Sequence, residues 1–168
     1  SGTHTLTVAL FGILRPNDKV LVLTGRPYDT ITGVFGIDEK NDGSLADFGV
    51  EYNQVDLKED GTPDIEEIKK RLQKDTFKMA YIQRSRGYST RPSLRIEDIK
   101  KIIDAVKEVS PESIIMVDNC YGGWTEMKEP TDVVVISESP KTFNKINEWK
   151  ASVLQSVLFF ISFGLIAI

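Results

Sequence analysis

The sequence contains a single cysteine, Cys120, and a single histidine, His4, among its 168 residues. One cysteine excludes a disulfide within the chain, and one histidine argues against a zinc site or a Ser/His/Asp triad. The Gly-x-Gly-x-x-Gly and Walker signatures of nucleotide-binding loops are also absent. The formal net charge of -4 argues against a nucleic-acid partner. We therefore expect a cytoplasmic protein that binds a small molecule and no metal.

Apolar runs alternate with amphipathic helical patterns at intervals of about 30 residues, as in βαβ units. Strands are predicted within residues 19–24, 50–57, 78–83, 113–117 and 133–136. Helical stripes lie within residues 6–14, 65–72 and 96–106, and we expect Thr62 to cap the second of these helices, with Pro63 at its first position. This alternation predicts an α/β fold with a parallel-rich sheet and helices on both faces.

The apolar run 113–117 changes abruptly to the polar segment Asp118-Asn119-Cys120. A run of this composition is typical of a strand buried on both faces, and the polar residues mark its carboxyl end. Ligands of parallel α/β sheets bind at this end, so Asp118 is a candidate partner for a cationic or protonated ligand group. The alternative is an Asp that only caps the next turn.

Two further features are predicted near the same edge. Ser1, Gly2 and Thr3 begin a helix, where backbone amides and hydroxyls suit a phosphate, although such residues also serve as ordinary caps. Tyr28 follows the first predicted strand, and its ring could stack on a planar heterocycle or merely cover a loop.

Arg84 and Arg86 follow the third predicted strand, and a guanidinium there could bind a carboxylate through two hydrogen bonds. For one of the two, a solvated surface arginine is the alternative. An anion site, a flat aromatic ring, an acid and a guanidinium together match the needs of pyridoxal phosphate.

Four segments also carry a family resemblance: Ser1-Gly2-Thr3-His4, Arg26-Pro27-Tyr28-Asp29-Thr30, Ile82-Gln83-Arg84-Ser85-Arg86-Gly87-Tyr88 and Val117-Asp118-Asn119-Cys120-Tyr121-Gly122. Through them, residues 1–133 resemble the aluminium-resistance or methionine gamma-lyase-like family of Cys/Met-metabolism enzymes. The resemblance implies the large-domain fold of fold type I pyridoxal-phosphate enzymes and lysis of a carbon–sulfur bond in an amino acid. It also implies a homo-oligomer in the intact parent.

The resemblance assigns roles residue by residue. Ser1, Gly2 and Thr3 would bind the cofactor phosphate, and Tyr28 would stack on the ring and take part in catalysis. Asp118 would pair with the pyridinium, and Arg86 would bind the amino-acid substrate.

The chain departs from the family pattern after Asp132. The family continues into a Ser-Leu-Ile-Lys-Asn segment followed by glycines, whose lysine forms the Schiff base, whereas this chain has Glu138-Ser139-Pro140-Lys141. Lys141 is the candidate for that lysine. We expect a partial cofactor-binding core in residues 1–137 and a divergent segment in residues 138–168, as in a fragment or a disrupted copy of the parent.

Residues 151–168 carry no charge and are strongly apolar. Three interpretations remain open for them: a transmembrane segment, a buried or aggregation-prone segment, and a segment foreign to the parent fold. The alternative to a lyase fragment is accordingly a non-catalytic α/β binding domain with a membrane-associating tail.

Overall fold

The computed structural model describes residues 2–38, 43–120, 122, 127–128, 130 and 165–167, the last three through their backbone alone. Its helices are α1 (Gly2–Ile13), α2 (Asp29–Phe35), α3 (Ile65–Lys74) and α4 (Ile96–Val109). Its strands are β1 (Lys19–Val22), β2 (Glu51–Gln54), β3 (Met79–Gln83), β4 (Ile114–Asp118) and β5 (Leu165–Ala167).

The strands form one sheet in the order β2-β1-β3-β4-β5. The first four strands in this order pair in parallel, and β5 pairs with β4 in the antiparallel direction. The register aligns Gln83 at the end of β3 with Asp118 at the end of β4. The predicted parallel-rich α/β sheet is confirmed.

Helices cover both faces of the sheet, as predicted, because the side chains of each strand alternate between the faces. On one face α3 and α4 pack over a cluster that includes Leu21, Ala80, Ile82, Ile115 and Val117. On the other face α1 and α2 pack over Val20, Val22, Met79, Tyr81 and Met116. The two clusters form a core on either side of β1, β3 and β4, which are buried along nearly their whole length, whereas β2 is partly exposed.

The strand order reverses between β1 and β3. The chain passes from β1 through α2 to β2 on one side, and from β3 through α4 to β4 on the other. In open α/β sheets, ligands bind in the crevice outside the carboxyl ends of the strands at such a switch point. The loops after β1, β3 and β4 are therefore the expected location of a ligand site.

The structure corrects one helix start and adds one helix. Helix α3 is capped by Asp64, whose side chain accepts a hydrogen bond from the Glu67 amide at 3.1 Å, and not by Thr62. Thr62 instead donates its hydroxyl hydrogen to Asp60 at 2.6 Å, in the turn before the helix. Helix α2 occupies residues for which no helix was predicted.

The predicted strand at 133–136 lies outside the described residues, as does most of the segment 138–168. Of that segment, the backbone of β5 is described, and it extends the sheet beyond β4. Within the part of the chain that the structure describes, no helix has the length and apolar character needed to cross a bilayer.

Candidate functional site

Asp118 ends β4 as a buried carboxylate, with 3% of its surface exposed. One carboxylate oxygen accepts a hydrogen bond from the Tyr81 hydroxyl at 3.3 Å, and the other accepts one from the Cys120 amide at 3.1 Å. Burial raises the pKa of the Asp118 carboxyl, and these two hydrogen bonds oppose the shift only in part. Among the described residues, no cation forms an ion pair with this carboxylate.

Tyr28 lies in the loop after β1, directly before α2. Gly25 takes a left-handed conformation with φ of 75°, and Pro27 is buried, so the turn that carries Tyr28 is well defined. The backbone amide of Tyr28 donates to Oε1 of Gln83 at 3.1 Å. Partial burial and the nearby charge of Asp118 raise the pKa of the Tyr28 hydroxyl to about 12. The ring is therefore neutral at physiological pH and close to Asp118.

The first turn of α1 lies beside Tyr28. The hydroxyl oxygens of Thr3 and Thr30 are 3.0 Å apart, which brings the start of α1 next to the start of α2. Both hydroxyls act to lower the pKa of Tyr28, against the larger effects of burial and Asp118. The structure thus brings Thr3, Tyr28 and Asp118 together at one edge of the sheet. Their roles toward a ligand stay predictions, and Ser1 lies outside the described residues.

The two arginines after β3 have different environments. Arg84 is buried, donates from Nη1 to Oδ1 of Asn119 at 2.7 Å, and donates from Nε to the carbonyl of Leu94 at 3.3 Å. It supports the loops instead of providing a solvated cation. Arg86 is exposed on the loop that follows β3, so of the two arginines it is the one accessible to a ligand.

Sequence reasoning missed Tyr81 and Gln83, which bond to Asp118 and Tyr28 respectively. Both were included in an apolar strand, where their polar atoms had no visible role. The strand alternation contained the missing signal, because residues 79, 81 and 83 share one face of β3. Lys141, the predicted Schiff-base lysine, lies outside the described residues.

A family model described as methionine gamma-lyase matches residues 1–137. The chain belongs to the methionine gamma-lyase family. The predicted family resemblance is therefore confirmed, while the division at residue 137 into two structural units stays a prediction.

Two relatives illustrate the family. The uncharacterized protein YnbB of Bacillus subtilis is 47% identical over 134 residues, which are 79% of this chain and 32% of YnbB. A carbon-sulfur lyase involved in aluminium resistance from Clostridium novyi is 52% identical, with a TM-score of 0.73 over 79% of this chain and 31% of that one. The chain thus spans about a third of the length of these methionine gamma-lyase relatives.

More distant structures share the fold of this methionine gamma-lyase family member. The chain has a TM-score of 0.53 to metB of Corynebacterium glutamicum at 20% identity. Its TM-score is 0.52 to the pyridoxal-5'-phosphate-dependent protein YhfS of Escherichia coli at 16% identity. At these identities the likeness concerns the fold alone, and it confirms the predicted fold type.

Proposed function

We propose that this chain is the pyridoxal-phosphate-binding part of a carbon–sulfur lyase that acts on a sulfur-containing amino acid. The observation that carries the proposal is the buried Asp118 carboxylate, which lies at the carboxyl edge of the sheet near the switch point. Among the described residues it accepts two hydrogen bonds but has no cationic partner. Membership of the methionine gamma-lyase family and the likeness to the Clostridium novyi protein support the reaction class.

The surroundings of Asp118 fit the ring nitrogen of the cofactor. An ionised carboxylate only accepts hydrogen bonds and has room for about four, of which the Tyr81 hydroxyl and the Cys120 amide supply two. A protonated pyridine nitrogen would add the positive charge that this buried group lacks. It would thereby lower the pKa of Asp118 toward its ordinary range and stabilise the ionised form.

The other parts of the edge fit the remainder of the cofactor. The start of α1 offers the backbone amides of Gly2 and Thr3 together with the Thr3 hydroxyl, and amides at a helix start suit a phosphate. Gly2 has open space around it, so a phosphate could approach the backbone closely. Tyr28, between this helix start and Asp118, supplies the aromatic ring for stacking.

When bound, pyridoxal phosphate supplies an electron sink for the substrate carbon that loses its proton. Asp118 would keep the ring nitrogen protonated and so maintain that capacity. Tyr28 would cover one face of the ring, and its hydroxyl, whose pKa is raised to about 12, stays protonated at neutral pH. Arg86, exposed on the loop after β3, would bind the substrate carboxylate.

Equilibrium dialysis of the purified chain against pyridoxal phosphate tests this proposal. We expect saturable binding that Asp118→Ala weakens by roughly 10- to 150-fold, because a charge-assisted hydrogen bond contributes about 1.5–3 kcal/mol. Asp56→Ala is the control, since Asp56 is an exposed carboxylate that follows β2 near the same edge. Equal affinities for the parent chain and Asp118→Ala would contradict the proposed site.

A further inference from the structure

Gln83 connects the two loops that flank the switch point. Its side chain is buried, with Oε1 accepting from the Tyr28 amide at 3.1 Å and Nε2 donating to the Ser85 carbonyl at 3.0 Å. Its own backbone amide donates to Oγ1 of Thr24 at 3.1 Å, which fixes the end of β3 against the segment that directly follows β1. One buried amide group therefore ties the loop after β1 to the loop after β3.

The loop on the β3 side is itself held firmly. Nη2 of Arg91 donates to the same Ser85 carbonyl at 2.6 Å and to the Gln83 carbonyl at 3.3 Å. Gly87 takes a φ of 57°, and a methyl group in its place would lie 3.0 Å from Cβ of Tyr28. This loop therefore packs closely against Tyr28, with Gln83 bonded to both sides of the contact.

We propose that Gln83 is a positioning residue that holds the Tyr28 ring in place for the cofactor, an inference that rests on the function proposed above. The chemistry of the side chain carries the argument. A primary amide offers an acceptor and a donor on one rigid group, which is what the Tyr28 amide and the Ser85 carbonyl require. An apolar side chain at position 83, like those of most other β3 residues, could not bond to the Tyr28 amide or to the Ser85 carbonyl.

Gln83→Met removes both hydrogen bonds and keeps the length of the side chain. In the chain without cofactor, we expect hydrogen exchange of the Tyr28 amide to accelerate roughly tenfold, in line with the loss of a buried hydrogen bond. Gln54→Met is the matched control, because Gln54 ends β2 and bonds to Tyr52 and Asp56 but not to Tyr28. Unchanged exchange at Tyr28 in folded Gln83→Met would overturn the inference.

The second measurement uses pyridoxal phosphate at saturation. We expect Gln83→Met to change the visible circular dichroism per bound cofactor, because that signal depends on the orientation of the ring in the site. Gln54→Met should leave the signal unchanged. A general loss of stability would lower the melting temperature without altering the dichroism of the molecules that remain loaded. A dichroism identical to that of the parent chain would contradict the positioning role.

Two outcomes separate this inference from the proposed function. If the parent chain binds no pyridoxal phosphate, the proposed function fails and the positioning role toward a cofactor fails with it, whatever the exchange at Tyr28 shows. If the parent chain binds the cofactor while Gln83→Met matches it in exchange and dichroism, only the Gln83 inference fails.

Gln83→Glu serves if Gln83→Met does not fold. Measured above the pKa of the introduced carboxyl, Glu keeps an acceptor for the Tyr28 amide but has no donor for the Ser85 carbonyl. We expect exchange at Tyr28 to stay within about threefold of the parent and exchange at Ser89, whose amide bonds to the Arg86 carbonyl, to accelerate. Faster exchange at Tyr28 together with unchanged exchange at Ser89 would overturn the assignment of these hydrogen bonds to Gln83.

Discussion

At the scale of single residues, Asp118 lies in surroundings that favour its neutral form. Burial raises the pKa of its carboxyl, and the described residues provide two hydrogen bonds but no cation to offset the lost hydration. A charged side chain that is buried in order to bind a ligand commonly makes the ligand-free protein less stable than a neutral side chain would. Asp118 is therefore the residue at which stability and binding should be in conflict.

Asp118→Asn should raise the stability of the cofactor-free chain at neutral pH while it weakens pyridoxal-phosphate binding. The amide has the shape of the carboxylate without its charge, and we expect a gain on the order of 1 kcal/mol in the free energy of unfolding. Urea unfolding measures the gain in stability, and equilibrium dialysis measures the loss of affinity for pyridoxal phosphate. Tighter binding by Asp118→Asn would contradict the assigned role.

The stability difference between Asp118→Asn and the parent chain should depend on pH, because the pKa of Asp118 is raised in the folded state. Since the folded-state pKa of Asp118 is raised, the stability contributed by the neutral carboxyl is full below the unfolded-state pKa and is lost as the pH rises through the folded-state pKa. The advantage of Asp118→Asn should therefore shrink as the pH falls through the raised value. A gain that stays constant over this range would show that the charge is not its cause.

Gly122 is a second residue on which the site depends. A methyl group at this position would overlap Oδ1 of Asn119 and Nη1 of Arg84, so Gly122→Ala should destabilise the chain by roughly 1–3 kcal/mol. Gly33→Ala is the matched control, because Gly33 is an exposed helical residue with open space around its Cα. That change should stabilise the chain by about 0.5–1 kcal/mol. Opposite signs for the two variants in urea unfolding are the expected result.

At the scale of secondary-structure elements, the strongly periodic segments were predictable. Helices α3 and α4 were visible from apolar residues at helical spacing, and β3 and β4 from continuous apolar runs, because tertiary burial and local pattern agree there. Helix α2 has only seven residues, and its β-branched Thr30, Ile31 and Val34 gave no helical preference. Packing of Ile31 and Phe35 into the core, which is a tertiary effect, decides its conformation.

The candidate site likewise contains residues that the sequence pattern predicts and contacts that only the tertiary structure reveals. Asp118 and Tyr28 were predictable because each lies at or after the carboxyl end of a predicted strand, and the carboxyl ends of parallel strands meet at one edge. The strand pattern places Gln83 at the carboxyl end of β3, but its contacts were not predictable, since its two partners, the Tyr28 amide and the Ser85 carbonyl, are backbone groups that the sequence does not distinguish. The burial of Arg84 was not predictable, because it depends on the loops that fold over this side chain.

The start of α3 gives a test at this scale. Asp64→Ala should lower the free energy of unfolding by about 1 kcal/mol, because the Glu67 amide would lose its capping acceptor. Thr62→Ala should change it by no more than about 0.5 kcal/mol, since Thr62 is an exposed residue before the helix. Chemical denaturation of both variants measures the difference. A larger loss for Thr62→Ala would restore the cap expected from the sequence.

At the scale of the whole molecule, the strand order brings the residues of the candidate site together. Tyr28 follows β1, Gln83 ends β3 and Asp118 ends β4, so residues far apart in sequence meet beside the β1–β3 switch point. The family match covers residues 1–137, and all of these residues lie within it. Binding of the cofactor and completion of a catalytic cycle are thus separate questions, because the predicted Schiff-base lysine follows that match.

We predict that Lys141 forms little or no Schiff base with pyridoxal phosphate. Pro140 restricts the backbone beside it, and Glu138 and Ser139 stand where the family pattern has different neighbours, without the glycines that follow the family lysine. Borohydride reduction in the presence of pyridoxal phosphate, followed by peptide mass mapping, measures the label on each lysine. We expect scattered, substoichiometric labelling that Asp118→Ala does not alter. Stoichiometric label on Lys141, reduced in Asp118→Ala, would instead identify a chain that retains the Schiff-base step of a working lyase.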